Sequence, residues 1–302
     1  MSPEKIMKKL EPGSEQSSPA KKASRENVYY ALSFLALLLL CAFFLRWNYR
    51  DNPRQDLIDD LTAANVNWLP EWPDFDSPGS WHRFITPVSE SHGVARVYAD
   101  TNAELSDDHL SRLHLFSELQ QLSISNADLS STALNNIDQN QNLESLFLCG
   151  LTIDVSVLNS ISRLPELKNL YLLSIQIEGE PAWADSKFAS LETLRLTNIN
   201  RPGDFFSDQE RFPALNKLIL DVSQSDDETL GLISDIKSMR MISLRGSQYT
   251  LNGLEVLTQL PELRELHLFQ TDLTYDDVHP LHDLKEGLQI VIHTEESMEV
   301  SE

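Results

Sequence analysis

Cysteine is nearly absent from the 302-residue chain, which holds two, Cys41 and Cys149. They sit in very different segments, so neither a disulfide framework nor a paired-cysteine zinc site can be built from them. Basic residues are scarce too: 24 Lys and Arg stand against 46 Asp and Glu, a formal charge of −22. Residues 1–50 hold eight of the basic and four of the acidic residues, so 51–302 carry 24 − 8 = 16 against 46 − 4 = 42, or −26. A body this acidic repels phosphate backbones and anionic headgroups alike, which argues against a nucleic-acid partner. Glycine is held to 10 residues, and there is neither a glycine-rich phosphate loop nor a G-x-S-x-G elbow. No Cys–His pair lies close in sequence.

The best cluster of ligating side chains is Asp276, Asp277, His279 and His282. On a helix the two histidines would share a face. Polar residues are the ordinary content of an outer helix, however, so no metal, cofactor or catalytic residue is assigned. The chain is read as a non-enzyme.

Long apolar runs are confined to one. Val28–Leu45 carries no charge and is long enough to cross a hydrocarbon layer, which takes about 17–25 residues. Tyr29, Tyr30 and Trp47 stand at its ends, where amphipathic rings favour the headgroup level. The polar segment before it is long and no small-x-small site follows, which argues against a cleaved signal peptide. Leu40 before Cys41 argues against lipidation. We read 28–47 as a transmembrane helix and 1–27 as a disordered basic segment. Six Lys and Arg precede the span, and Arg46, Arg50 and Arg54 follow it. That bias places the amino terminus in the cytoplasm and the rest outside the plasma membrane.

What the sequence has in abundance is a repeat. One aliphatic column runs Leu122, Leu146, Leu170, Leu194, Leu218, Ile242, Leu266, Ile290, and a second runs Ile124, Leu148, Leu172, Leu196, Leu220, Leu244, Leu268, Ile292. Each step is 24 residues, without insertion. A fixed period of this size signals a solenoid, in which each unit buries its apolar face against the next. With Leu or Met three residues ahead, as at Leu143, Leu167 and Met239, the line reads L-x-x-L-x-L. It resembles the strand segment of leucine-rich repeats, over about Val94 to His293. The resemblance implies an α/β fold: a curved parallel sheet with short helices on its convex side. The family's usual Asn position reads Ala127, Leu151, Ile175, Ile199, Ser223, Ser247 and Thr271, so the turns must satisfy their polar groups in another way. The stretch 266–274 looks like repeats of bacterial leucine-rich repeat proteins.

Between strands, Ser106, Ser130, Asp154, Asp226, Thr250 and Thr274 line up as helix N-caps. Leucines and isoleucines four and seven residues on, such as Leu158 and Ile161, predict short amphipathic helices. Residues 178–190 and 202–214 break this pattern, with Glu178 and Pro202 in the cap column. Irregular or 3₁₀ turns are expected there, through drift of a tolerant outer surface or as a docking site. In the first unit Val97 and Ala99 suit the core better than Tyr98 and Asp100, which predicts a bulged or shifted strand.

The domain reading is therefore 1–27, 28–47, a linker at 48–93, repeats over 94–293 and an acidic disordered tail at 294–302. Pro53 favours a short helix at the start of the linker. Its segment 66–93, with Trp68, Trp72 and Trp81, is either a spacer or a cap on the open end of the solenoid.

Strand residues between the ladder leucines point away from the core and stack as columns across the concave face. Phe147, Tyr171, Leu173 and Ile219 form an apolar run with Arg195 inside it, and Lys217, Arg245 and Phe269 lie near. Exposed apolar clusters mark interaction sites, and aromatic and Arg residues are the commonest hot spots. Strand propensity alone also favours Phe, Tyr and Ile here. The reading is a single-pass, membrane-anchored protein whose concave face binds another protein. The alternative is a structural envelope protein that binds glycan or copies of itself.

Overall fold

The computed structural model describes residues 52–70, 94–179, 186–222 and 225–293. Segment 1–27, the apolar run 28–47, residues 71–93 with Trp72 and Trp81, and the tail 294–302 lie outside the described residues. Among those described, no helix is long and apolar enough to cross a membrane.

Every predicted strand of the ladder forms. The strands are β2 (Val94–Ala99), β3 (Gln121–Ser125), β4 (Ser145–Cys149), β6 (Asn169–Leu173), β8 (Thr193–Thr197), β9 (Lys217–Asp221), β10 (Met241–Arg245), β11 (Glu265–Phe269) and β12 (Gln289–His293). They pair in parallel in sequence order. Leu146 faces Leu170, Leu170 faces Leu194 and Leu194 faces Leu218, so the 24-residue period is the strand register itself. The ladder side chains are fully buried: Leu146, Leu170, Leu172, Leu194 and Leu218 all have 0% exposure. Burial of one such side chain stabilises by about 1.5–3 kcal/mol, and the stack repeats that gain at every unit.

The first repeat is shifted by one residue against β3, and its pairing with the preceding strand is irregular between Arg96 and Val94. Val97 pairs with Leu122 and Ala99 with Ile124, while Tyr98 lies opposite Ser123 on the outer face. An unshifted strand would have buried Tyr98 and Asp100 and exposed Val97, so the apolar pattern dictates the slip.

Helices cover the inner face. After α2 (Asp107–Ser111), α3 (Val155–Ser162), α5 (Asp227–Ile233), α6 (Leu251–Leu257) and α7 (Tyr275–Leu284) begin at the residues of the cap column. Asp154 accepts from the Ser156 N–H at 2.8 Å, and Thr250 from the Gly253 N–H at 3.2 Å. Ser106 and Thr274 close capping boxes with the residues three positions on. Ser130 is the exception. Its unit forms turns and one 3₁₀ turn, Ile137–Gln139, and no α-helix. Asn135 and Asn136 sit where the helix would run, and Asn side chains compete with the backbone for its hydrogen bonds. Of the two irregular units, 202–214 holds the expected 3₁₀ turn, Gln209–Arg211, but also one α-helical turn, α4 (Gly203–Phe206). Pro202 supplies no side-chain cap bond. In the other, residues 180–185 lie outside the described residues and Ser186–Ser190 form no helix.

The amino-terminal end is covered. Helix α1 (Pro53–Ala63) buries Leu57, Ile58 and Leu61, and β1 (Asn67–Pro70) pairs antiparallel with β2. Arg112 ties α1 to the first repeat through Asp60 at 2.8 Å, and Trp68 packs partly buried against the core.

The missing Asn ladder is replaced by a column one residue earlier. Asn126, Gly150, Ser174, Asn198 and Gln270 adopt the left-handed region with φ between 48° and 65°, and Gly246 has φ 124°. The turn then aims its N–H at the next strand: Asn126 to the Cys149 carbonyl at 2.8 Å, Gly150 to Leu173 at 2.9 Å, Ser174 to Thr197 at 2.8 Å, Asn198 to Asp221 at 2.8 Å. The column that usually holds Asn is then free to be apolar. Leu151, Ile175 and Ile199 are buried.

A second, two-stranded parallel sheet follows two of these turns: β5 (Thr152–Asp154) beside β7 (Gln176–Glu178). Its edge is closed by a side chain. The Asn200 amide accepts from the Ile177 N–H at 2.7 Å and donates to the Ile177 carbonyl at 3.1 Å.

Candidate functional site

With helices packed on one side of the sheet, its other side stays open, and the eight proposed binding residues stand there half-buried. Register fixes their neighbours. Phe147, Tyr171, Arg195 and Ile219 occupy one row across β4, β6, β8 and β9. The Phe147 and Tyr171 rings meet at 6.3 Å between centroids, tilted by 41°. Leu173 lies in the adjacent row between Cys149 and Thr197, and Lys217 in the row on the other side, opposite Thr193 and Met241. Arg195 donates from Nε to the Thr197 hydroxyl at 3.4 Å.

Arg245 and Phe269 belong to a second group nearer the carboxy-terminal edge. Five strand spacings of about 4.8 Å separate Phe147 from Phe269, roughly 24 Å, so the eight residues form an elongated band instead of one pocket. In this group Arg245 reaches Asp221 at 3.7 Å and lies with its guanidinium 5.7 Å from the Phe269 ring centre. Phe269 stacks face to face on His293 at 3.9 Å. His293 Nε2 lies 3.0 Å from His267 Nδ1, and His267 Nε2 lies 3.4 Å from a Glu265 carboxylate oxygen. Burial against these rings lowers the His293 pKa, and the neighbouring His267 lowers it further. A concavity of about 310 Å³ joins the two groups, lined by Arg195, Ile219, Asp221, Ser243, Arg245 and Phe269 among others.

His267, His293, Asp221 and Ser243 join this surface beside the eight proposed residues. Their signal is the register: each stands in the same outward columns. Ser243 is nearly covered, at 9% exposure, because it is a small side chain between larger ones. On α7, His279 and His282 do lie side by side, ring edge to face at 6.2 Å. Among the described residues, no group of three or more His, Cys, Asp or Glu is placed to hold a metal ion. Cys149 is a half-buried free thiol on the open face.

No family model and no curated protein matches the sequence. Solved structures do. An internalin from Listeria monocytogenes aligns over 64% of this chain and 60% of its own, at 17% identity and a TM-score of 0.39. Internalin C2 from the same organism aligns over 66% and 81%, at 16% identity and 0.35. The plant peptide hormone receptor RGFR1, in complex with RGF2, aligns over 66% and 34%, at 17% identity and 0.39. This chain thus spans 60% of the length of the first of them. The class is set by the chain's own geometry: a 24-residue period equal to the strand register, a buried leucine ladder and capped outer helices. It is a leucine-rich repeat solenoid.

Proposed function

We propose that this is an interaction protein that binds another protein through the open, concave face of its repeat sheet and is held at the membrane by residues 28–47. The observation that carries the reading is the unbroken row Phe147–Tyr171–Arg195–Ile219, brought together by register from four separate repeats. Rigid strands hold these side chains without ordering cost at the moment of binding. Aromatic and Arg side chains are enriched among the residues that dominate interface energies. The span and the positive charge before it support a single-pass arrangement with the repeats outside the cytoplasm. Display rather than catalysis is the mechanism: the anchor sets location and the sheet offers a fixed surface.

The test is partner capture by the full chain from detergent-solubilised membranes. Tyr171→Ala and Arg195→Ala are expected to melt like the parent and retain a stoichiometric partner at least about fivefold less well. If both variants retain it equally, the open face is not the binding surface.

A further inference from the structure

The open face does not share the charge of the molecule. The eight strands β3, β4, β6 and β8–β12 each present three outward positions, 24 in all (8 × 3). Only two of these are carboxylates, Asp221 and Glu265, while three are Arg or Lys, namely Arg195, Lys217 and Arg245. The chain as a whole has the opposite balance, 46 acidic to 24 basic. Both outward carboxylates are already engaged, Asp221 with Arg245 at 3.7 Å and Glu265 with His267 at 3.4 Å. By contrast, no carboxylate among the described residues pairs with Arg195 or Lys217. The strand starts beside the row are acidic: Glu118, Glu144 and Glu166 line a depression there, with Lys168 already bridged to Glu144 at 3.3 Å.

We infer that the occupant of this face is an extended acidic segment of a partner protein, with carboxylates on Arg195 and Lys217 and apolar side chains against Phe147, Tyr171 and Ile219. This rests on the open-face reading above. A neutral or basic segment laid over Arg195 would take its charge out of water without a counter-charge, which is unfavourable. A carboxylate removes that cost and adds charge-assisted hydrogen bonds. The row Phe147–Tyr171–Arg195–Ile219 is four strands long, about 14 Å at 4.8 Å per step, with Leu173 and Lys217 flanking it on either side. That length matches four or five residues of extended chain at about 3.3 Å each. The net negative charge of the chain disfavours landing of such a segment elsewhere.

The experiment pans a random twelve-residue peptide display library against the full chain in detergent, with Arg195→Glu and Tyr171→Ala as comparators. Both variants are first shown to melt like the parent. Enriched peptides are expected to exceed the unselected library in Asp and Glu, to carry interspersed apolar residues, and to bind Arg195→Glu about tenfold or more weakly. Raising salt from 0.05 to 0.5 M should weaken them further. The inference is overturned if nothing is enriched, if the enriched peptides are no more acidic than the library, or if acidic ones bind Arg195→Glu undiminished. Tyr171→Ala separates this from the reading beneath it. Neutral or basic peptides that lose affinity on Tyr171→Ala would leave the open face as the binding surface and remove only the acidic partner.

Discussion

Leu170 and Tyr171 are adjacent in the chain and stand on opposite sides of β6, one with 0% exposure and one half-buried on the open face. That alternation makes the sharpest stability prediction. Leu170→Ala or Leu194→Ala should cost about 2–5 kcal/mol, through lost burial and a cavity that the close-packed ladder cannot fill. Tyr171→Ala and Arg195→Ala should each cost about 0.5 kcal/mol or less. Urea denaturation of all four checks the contrast, and equal losses on the two sides would mean the outward row is structural. The ladder was legible in the sequence because its side chains must all be aliphatic. The left-handed column was not, because Asn and Gly favour positive φ while Ser174 and Gln270, which adopt it too, carry no such preference. At Gly150 the demand is stricter still: with φ 65°, an added Cβ would meet the Asn126 side-chain oxygen. His293 adds a pH dependence. Its folded pKa lies below the ordinary 6.5, so the fold favours the neutral ring. The unfolded chain then binds more protons in the window just under pH 6.5, and stability falls as pH drops from 6.5 through the folded value. His267 and Phe269 touch it, with Glu265 behind His267 and Arg245 behind Phe269. A midpoint that falls between pH 7 and 5.5 in the parent and stays flatter in His293→Gln is the expected result.

The outer helices were readable as elements because N-caps recur at the strand period. Thr250 and Ser130 occupy equivalent columns, yet only Thr250 caps a helix, and its hydroxyl also donates to Asp227 of the preceding unit at 2.5 Å. Thr250→Ala should therefore cost about 1 kcal/mol, near the usual loss of a cap. Ser130→Ala should cost a few tenths at most, since an exposed turn position is ordinarily worth about ±0.5 kcal/mol. Chemical denaturation of the pair measures the difference. The Ser130 unit misled because cap and apolar spacing were both present while Asn135 and Asn136 withheld helix propensity. The small sheet of β5 and β7 left no such trace. Three-residue strands are too short for a period to show, and a side-chain amide from Asn200 completes the ladder.

For the molecule as a whole, the open end of the repeat stack and the helix opening at Pro53 were evident from the sequence, but the antiparallel strand Asn67–Pro70 was not. The helix and the strand close that end, tied by Arg112 to Asp60 and by Arg54 to Glu118, both at 2.8 Å. Removing residues 53–70 should bare the β2 edge and the apolar end of the core. The expected outcome is a lower and broader thermal transition with concentration-dependent aggregation; an unchanged melt would show that the first repeat caps itself. The forward-pointing turns have a further consequence, for the order in which the molecule is made. Asn126 donates to residue 149, Gly150 to 173 and Ser174 to 197, so each turn's partner is synthesised a full repeat after the turn itself. At about 5–20 residues per second that partner emerges roughly one to five seconds later. The nascent chain thus carries one incomplete rung at its growing end, and the α1–β2 cap is finished before any of them.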